Sequence, residues 1–220
     1  MAITFPRDMP DPPLVRPAPF KLQRMQIRRM TRAGLAAAAD IGPPLWAVDM
    51  QTVPLTEAQA GEWIGIIDSL RGGIENIKLW PPMRRFPLVY QSGWGTLQIA
   101  GGGGAFTGQA ALDAVGANND TVTLSGLPDG FQLVAGDFLA FTYDTDKRAL
   151  HKVVESAVAN ASGVGTWTVE PFVRPGWVAT TAVDLEKPYC LMKIDPDSVS
   201  DPININRSTV LSFKALQTLS

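Results

Sequence analysis

Residues 55–80 read L-T-E-A-Q-A-G-E-W-I-G-I-I-D-S-L-R-G-G-I-E-N-I-K-L-W, and the fold turns on how this stretch is punctuated. Thr56 and Gln59 have the spacing of a capping box, in which threonine and glutamine side chains satisfy the free amides of a helix start. Ala60, Trp63, Ile67 and Leu70 then recur at three- and four-residue intervals, which predicts a helix over about 56–71 with one apolar stripe. Gly72 or Gly73 supplies the left-handed residue that ends it, and Ile74–Trp80 reads as a strand stopped by Pro81-Pro82. A single well-specified helix among short β-type segments must cover its stripe with a sheet.

Working outward, Leu45–Val53 places Trp46, Val48 and Met50 on one face of a strand. Lys21–Thr31 alternates roughly and reads as another, joined to it by the small-residue stretch R-A-G-L-A-A-A-A-D-I-G-P-P as a hairpin connection. The first 80 residues thus form a β-β-α-β unit. Residues 1–19 hold six prolines and read as an extended arm, laid over a surface or over a neighbour. Beyond Trp80, residues 85–118 form a glycine-rich connection that includes Gly101–Gly104.

From Asp120 onward, turn chemistry separates strands every 8 to 15 residues, the signature of a small barrel or sandwich. Thr209, Leu211, Phe213 and Ala215 alternate against Val210, Ser212 and Lys214 in a closing strand that completes the first sheet. The expected fold is therefore mainly β with one packed helix. A core domain of residues 20–84 and 186–220 carries an inserted small β-barrel, residues 119–185.

Composition narrows the function classes. The chain has 220 residues, 45% hydrophobic and 18% charged, with a net charge of -2, which fits a globular protein and gives no cationic surface for phosphate-backbone binding. The single cysteine, Cys190, excludes an intrachain disulfide. No apolar run is long enough to span a membrane, and M-A-I-T-F-P-R-D-M-P lacks the features of a secretory signal.

Candidates for chemistry are few. His151 and Cys190 are single copies, so a clustered metal site of nitrogen and sulfur ligands is excluded; His151 reads as a half-exposed sheet residue. Asp144 and Asp146, or Asp195, Asp197 and Asp201, read as turn carboxylates, since neither set matches an ordered calcium loop. Gly101–Gly104 lacks the residues of a phosphate loop. Lys21, Arg24, Arg28, Arg29 and Arg32 form the one basic concentration, either a polar strand face or a contact; Arg24, Arg28 and Arg29 are expected to face an acidic protein surface. Trp94, Trp167 and Trp177 remain as exposed anchors for an alternative carbohydrate- or receptor-binding role. No residue set supports catalysis, and no cofactor is expected.

The quoted helix phrase, followed by T-V-T-L-S-G-L-P, V-A-G-D-F-L-A-F, H-K-V-V, W-T-V-E-P-F-V-R and S-T-V-L-S-F-K-A-L, resembles distal tail proteins of long-tailed bacteriophages across most of residues 45–216. The resemblance implies a tube-like split-barrel core with a peripheral barrel, assembled as a homohexameric ring. The tail tube protein would stand above that ring and tail hub or tip proteins below it. It implies location in the virion tail after assembly in the host cytoplasm, with phage DNA passing through the lumen without specific contacts. A ring subunit needs sheet edges, apolar patches and an arm to give its neighbours. Trp46, Trp63, Ile67, Leu70, Arg24, Arg28 and Arg29 are the core and interface candidates.

Overall fold

A computed structural model describes residues 3–30, 32, 34, 36–145, 147–202 and 208–219. Helix α1 spans Glu57–Ser69 behind an extended N-cap at Thr56. Gln59 Oε1 accepts the Thr56 backbone N–H at 3.0 Å, so one free donor of the helix start is satisfied. Arg71, Gly72 and Gly73 are all left-handed. A Cβ at Gly73 would stand 2.9 Å from the Ile194 carbonyl oxygen, so this position requires glycine on two counts. The buried stripe is Ala60, Trp63, Ile66 and Leu70. Ile67, expected within it, lies half-buried at its margin, because stepping three residues and then four from Trp63 to Leu70 centres the helix on Ile66.

The strands of the first half are β1 (Arg7–Asp8), β2 (Lys21–Gln23), β3 (Gln26–Met30), β4 (Ala36–Asp40), β5 (Leu45–Gln51) and β6 (Ile77–Leu79). The second half adds β7 (Gln109–Val115), β8 (Thr121–Ser125), β9 (Gln132–Leu133), β10 (Phe138–Tyr143), β11 (Lys147–Val153), β12 (Ala157–Val158), β13 (Gly165–Glu170) and β14 (Ala182–Asp184). Two closing strands, β15 (Cys190–Ile194) and β16 (Ser212–Gln217), follow. The core sheet runs β1-β6-β15-β16-β5-β2, and a closed barrel runs β10-β11-β13-β8-β7-β14. The protein is thus mainly β, with one packed helix and a small barrel placed between strands of the core sheet.

Period-two alternation decides which side of the core sheet is covered. Trp46, Val48 and Met50 of β5 and Phe213 and Ala215 of β16 are buried in one core cluster with Ala60, Trp63 and Ile66 of α1, with the Trp63 and Phe213 rings 5.7 Å apart. The barrel's outer wall joins the same core through Phe138, Ala140 and Leu150. Trp46 contacts the Phe138 ring edge-on at 5.6 Å and donates from Nε1 to the Leu150 carbonyl at 2.7 Å. Arg148 is buried at this junction, paired with Asp184 and stacked 4.2 Å over the Tyr189 ring.

Three expectations change on contact with the structure. The predicted strand Lys21–Thr31, whose last residue lies outside the described residues, is two strands, β2 and β3, broken at Arg24, whose guanidinium pairs with Glu170 of the barrel and with Asp40 at 4.0 Å. Ala36–Asp40 of the alanine-rich stretch is itself a strand, β4, paired with β3 from Gln26↔Asp40 to Met30↔Ala36; cross-strand pairing overrides alanine's low strand propensity. The glycine-rich connection contains barrel strand β7 and an aromatic cluster. Trp94 lies 4.9 Å from Phe106 and Tyr90 stacks 4.7 Å from Phe131. Gly108, at φ +87°, sits so close that a Cβ would be 2.6 Å from Trp94 Nε1.

The proline-rich arm lies along its own core. Arg7 and Asp8 pair in parallel with Ile77 and Lys78, Val53 donates to the Leu14 carbonyl at 2.8 Å, and Trp63 Nε1 donates to the Pro13 carbonyl at 3.2 Å. Asp11 is held by Lys187 and by Arg85, and the Lys187 ammonium keeps its carboxyl below the usual range. Met9 and Ala18 are buried. Of a surface and a neighbour, the arm is thus laid over the surface of its own protomer.

Candidate functional site

The surfaces left open by this packing are the candidate site. The core sheet is covered by α1 on one side only. On the other, register places Lys21, Ala47, Leu216 and Lys193 in one row across four strands, with Lys214 opposite Asp49 in the next. They line a groove of about 860 Å³. The face carries three lysines against Asp49 and Asp195, and its apolar floor includes an exposed Leu216.

The β3–β4 hairpin is a second open surface. Its ladder has five residue pairs, yet every residue except Gln26 is exposed. Ile27, Arg29, Ala37 and Ala39 share one face, and Gln26, Arg28, Met30, Ala36, Ala38 and Asp40 share the other. Met30 is 79% and Ile27 48% exposed. The base is tied down by Arg24, by a bond from Gln26 Nε2 to Asp40 at 2.8 Å, and by Ile41 N–H to the Met25 carbonyl at 2.8 Å.

The outward side of α1 is the third, where Glu57, Ala58, Gly61, Glu62, Gly65 and Asp68 are exposed. Neither glycine is demanded by the chain's own packing, for a Cβ at Gly61 or Gly65 would meet nothing within 4 Å. Glycine inside a helix is less favourable than alanine by about 1 kcal/mol.

The residues singled out from sequence separate into two groups. Trp46, Trp63 and Leu70 are core, with Ile67 beside them. The arginines do not converge: Arg24 is committed to Glu170 and Asp40, while Arg28 and Arg29 point from opposite faces of the hairpin. Arg28 also donates to Gln26 Oε1 at 3.2 Å.

Trp167, expected as an exposed anchor, is 1% exposed within the barrel core and donates to the Ala157 carbonyl at 3.1 Å. It occupies an inward position of β13, between the outward Thr166 and Thr168. Trp94 is half-buried in the aromatic cluster with Nε1 donating to Glu186 at 3.2 Å, and Trp177 packs half-buried against the barrel core. The three do not make a flat platform.

His151, expected to be half-exposed, is fully buried. It lies opposite Leu139 on β11, stacks 5.1 Å from Phe141 and shares its Nδ1 with the Pro171 carbonyl at 2.7 Å. Burial pulls its pKa from 6.5 to about 4, so the ring is neutral at pH 7. Cys190 is buried in the core sheet, and desolvation pushes its thiol well above the usual range, away from nucleophilic reactivity.

Asp144 is bonded to Lys147 and to the Thr145 amide, and Asp195 accepts from the Asp197 amide at 3.2 Å; Asp146 lies outside the described residues. Among the described residues no group of three His, Cys, Asp or Glu is placed to hold a metal ion, and no helix is long and apolar enough to cross a membrane.

Sequence reasoning missed the aromatic cluster and the exposure of the hairpin. The first has a signal, since Phe86, Tyr90, Trp94 and Phe106 punctuate a stretch otherwise rich in glycine. The second has none, because exposure of an alternating strand depends on what packs against it. Comparison with protein-family models and with curated proteins gives no match to this chain.

Proposed function

We propose that this protein is a structural assembly subunit, a distal tail protein of a long-tailed bacteriophage that forms a ring between the tail tube and the tip or baseplate. The observation that carries the reading is the asymmetry of the core domain. Its sheet is packed by α1 on one side and left open over a groove of about 860 Å³ on the other, while a five-pair hairpin projects beside it. Such surfaces are suited to neighbours rather than to a small-molecule substrate. Closed rings form by heterologous contact, in which one surface of each protomer meets a different surface of the next.

The resemblance of the helix phrase and barrel segments supports the same reading, and it supplies the tube protein above, the hub or tip proteins below, and the virion tail as location. In this reading the open sheet face lines the lumen through which DNA passes without specific contacts, and the barrel stands outside. Sedimentation of the purified full-length chain, with negative-stain imaging, tests it. Sixfold rings with a central channel are expected; a chain that stays monomeric at high concentration and is absent from purified virions overturns it.

A further inference from the structure

The β3–β4 hairpin is a surface in want of a partner. A two-stranded hairpin is marginal in water without a third element on one of its faces, and both faces of this one are exposed. Its two sides differ in charge. The side of Arg28 ends in Asp40, and Arg28 is already engaged by Gln26. The side of Arg29 holds Ile27, Ala37 and Ala39 and no carboxylate, so it is apolar, shallow and cationic.

Two open surfaces of the same chain could receive it. The open sheet face presents Lys21, Lys193 and Lys214 against Asp49 and Asp195, so its balance is cationic and opposes Arg29. The outward side of α1 presents Glu62 and Asp68 on either side of Ala58, Gly61 and Gly65. It is opposite in charge and free of bulk where a strand of alanines would lie. The two glycines, unexplained within the protomer, match this need for close approach.

We infer that the Ile27–Arg29 side of the hairpin docks on the exterior of α1 of a second copy of this chain. Arg29 lies among Glu62 and Asp68, and Ala37 and Ala39 lie over the glycines. The contact joins unlike surfaces, so it propagates from protomer to protomer. It rests on the ring reading and specifies one of its interfaces.

A charge-swap series on the full-length protein tests it, read as association by sedimentation, with circular dichroism and thermal melting confirming that each variant is folded. Arg29→Glu is expected to weaken association roughly tenfold or more, and Glu62→Arg with Asp68→Arg to do the same. Combining the three is expected to recover most of the loss. Arg28→Glu, the same charge change on the opposite side, is expected to shift association less than about threefold.

If assembly forms but is indifferent to both reversals, the docking is wrong while the ring stands. If Arg29→Glu weakens assembly and the helix reversals neither weaken nor rescue it, the hairpin docks elsewhere and the inference fails. If the wild-type chain never associates, the ring reading fails and this contact with it.

Discussion

The barrel and the hairpin are both built from antiparallel strands, yet they stand at opposite ends of self-sufficiency. In the barrel every strand has two neighbours, and its interior is filled by Leu112, Leu124, Phe131, Phe141, Trp167 and their contacts. In the hairpin each strand has one neighbour and no covered face. Closure removes the edges that a sheet otherwise offers to other chains. The difference teaches where to look for partners: at the strands whose pairing and packing are unfinished.

The strongest way to break this contrast is to empty the barrel. Trp167→Ala removes a fully buried indole, so a loss of about 3–5 kcal/mol is expected, and Trp63→Ala is expected to lose a similar amount from the helix stripe. Trp63 also holds the arm through its bond to Pro13, so the second variant should open residues 3–19 to proteolysis while the first should not. Unchanged melting temperatures would falsify the burial on which the comparison stands.

Acid offers a reversible version of the same perturbation. His151 has a folded pKa of about 4 against an ordinary 6.5, so above pH 6.5 neither state holds the proton and nothing is lost. As pH falls from 6.5 to 4 the unfolded chain binds a proton that the buried ring refuses, and stability declines by up to about 3 kcal/mol. His151→Gln lacks that titration. Denaturant unfolding at pH 7 and pH 4.5 should show a smaller acid loss in the variant than in the wild type; equal losses would mean that His151 is not the group responsible.

Much of this architecture is legible in the chain because local rules and burial agree there. Trp46, Val48 and Met50 alternate on β5 as period two demands, Phe138–Tyr143 has the bounds its run suggests, and the terminal strand returns to the core sheet as Leu211, Phe213 and Ala215 imply. Legibility fails where a contact distant in sequence decides. Arg24 interrupts an otherwise continuous strand because Glu170, 146 residues away, is its partner. Trp167 and His151 follow the alternation of their strands, but period two does not say which parity faces inward; barrel closure does. Gln109–Val115 is hidden in a glycine-rich stretch because its strand partners, β8 and β14, come later in the chain. The assembly surfaces are least legible of all, since they are defined by what does not cover them.

The helix exterior sharpens the contrast from the stabilising side. Gly61→Ala and Gly65→Ala meet no atom within 4 Å and replace poor helix formers, so each is expected to add about 0.5–1 kcal/mol to the protomer. The same methyl groups would stand in the path of a docked strand. A variant that melts higher yet associates more weakly is the expected pairing of results. Higher stability with undiminished association would show that the glycine face is solvent-facing in the assembled state as well.

The smallest effect is the most discriminating. Ile27→Ser removes an apolar side chain from a strand, a change that in the barrel would cost several kcal/mol. Here the side chain is already half in water, so protomer stability is expected to move by no more than about 0.5 kcal/mol. Burial of Ile27 arises only when something lies against the hairpin, so the loss should appear in association instead, at roughly 1–2 kcal/mol for the transfer of its apolar surface. Chemical denaturation at a concentration where the chain is dissociated isolates the first quantity, and sedimentation across a dilution series isolates the second. A loss of 2 kcal/mol or more in the dissociated protomer would place Ile27 in a core, and the hairpin would then be as finished as the barrel.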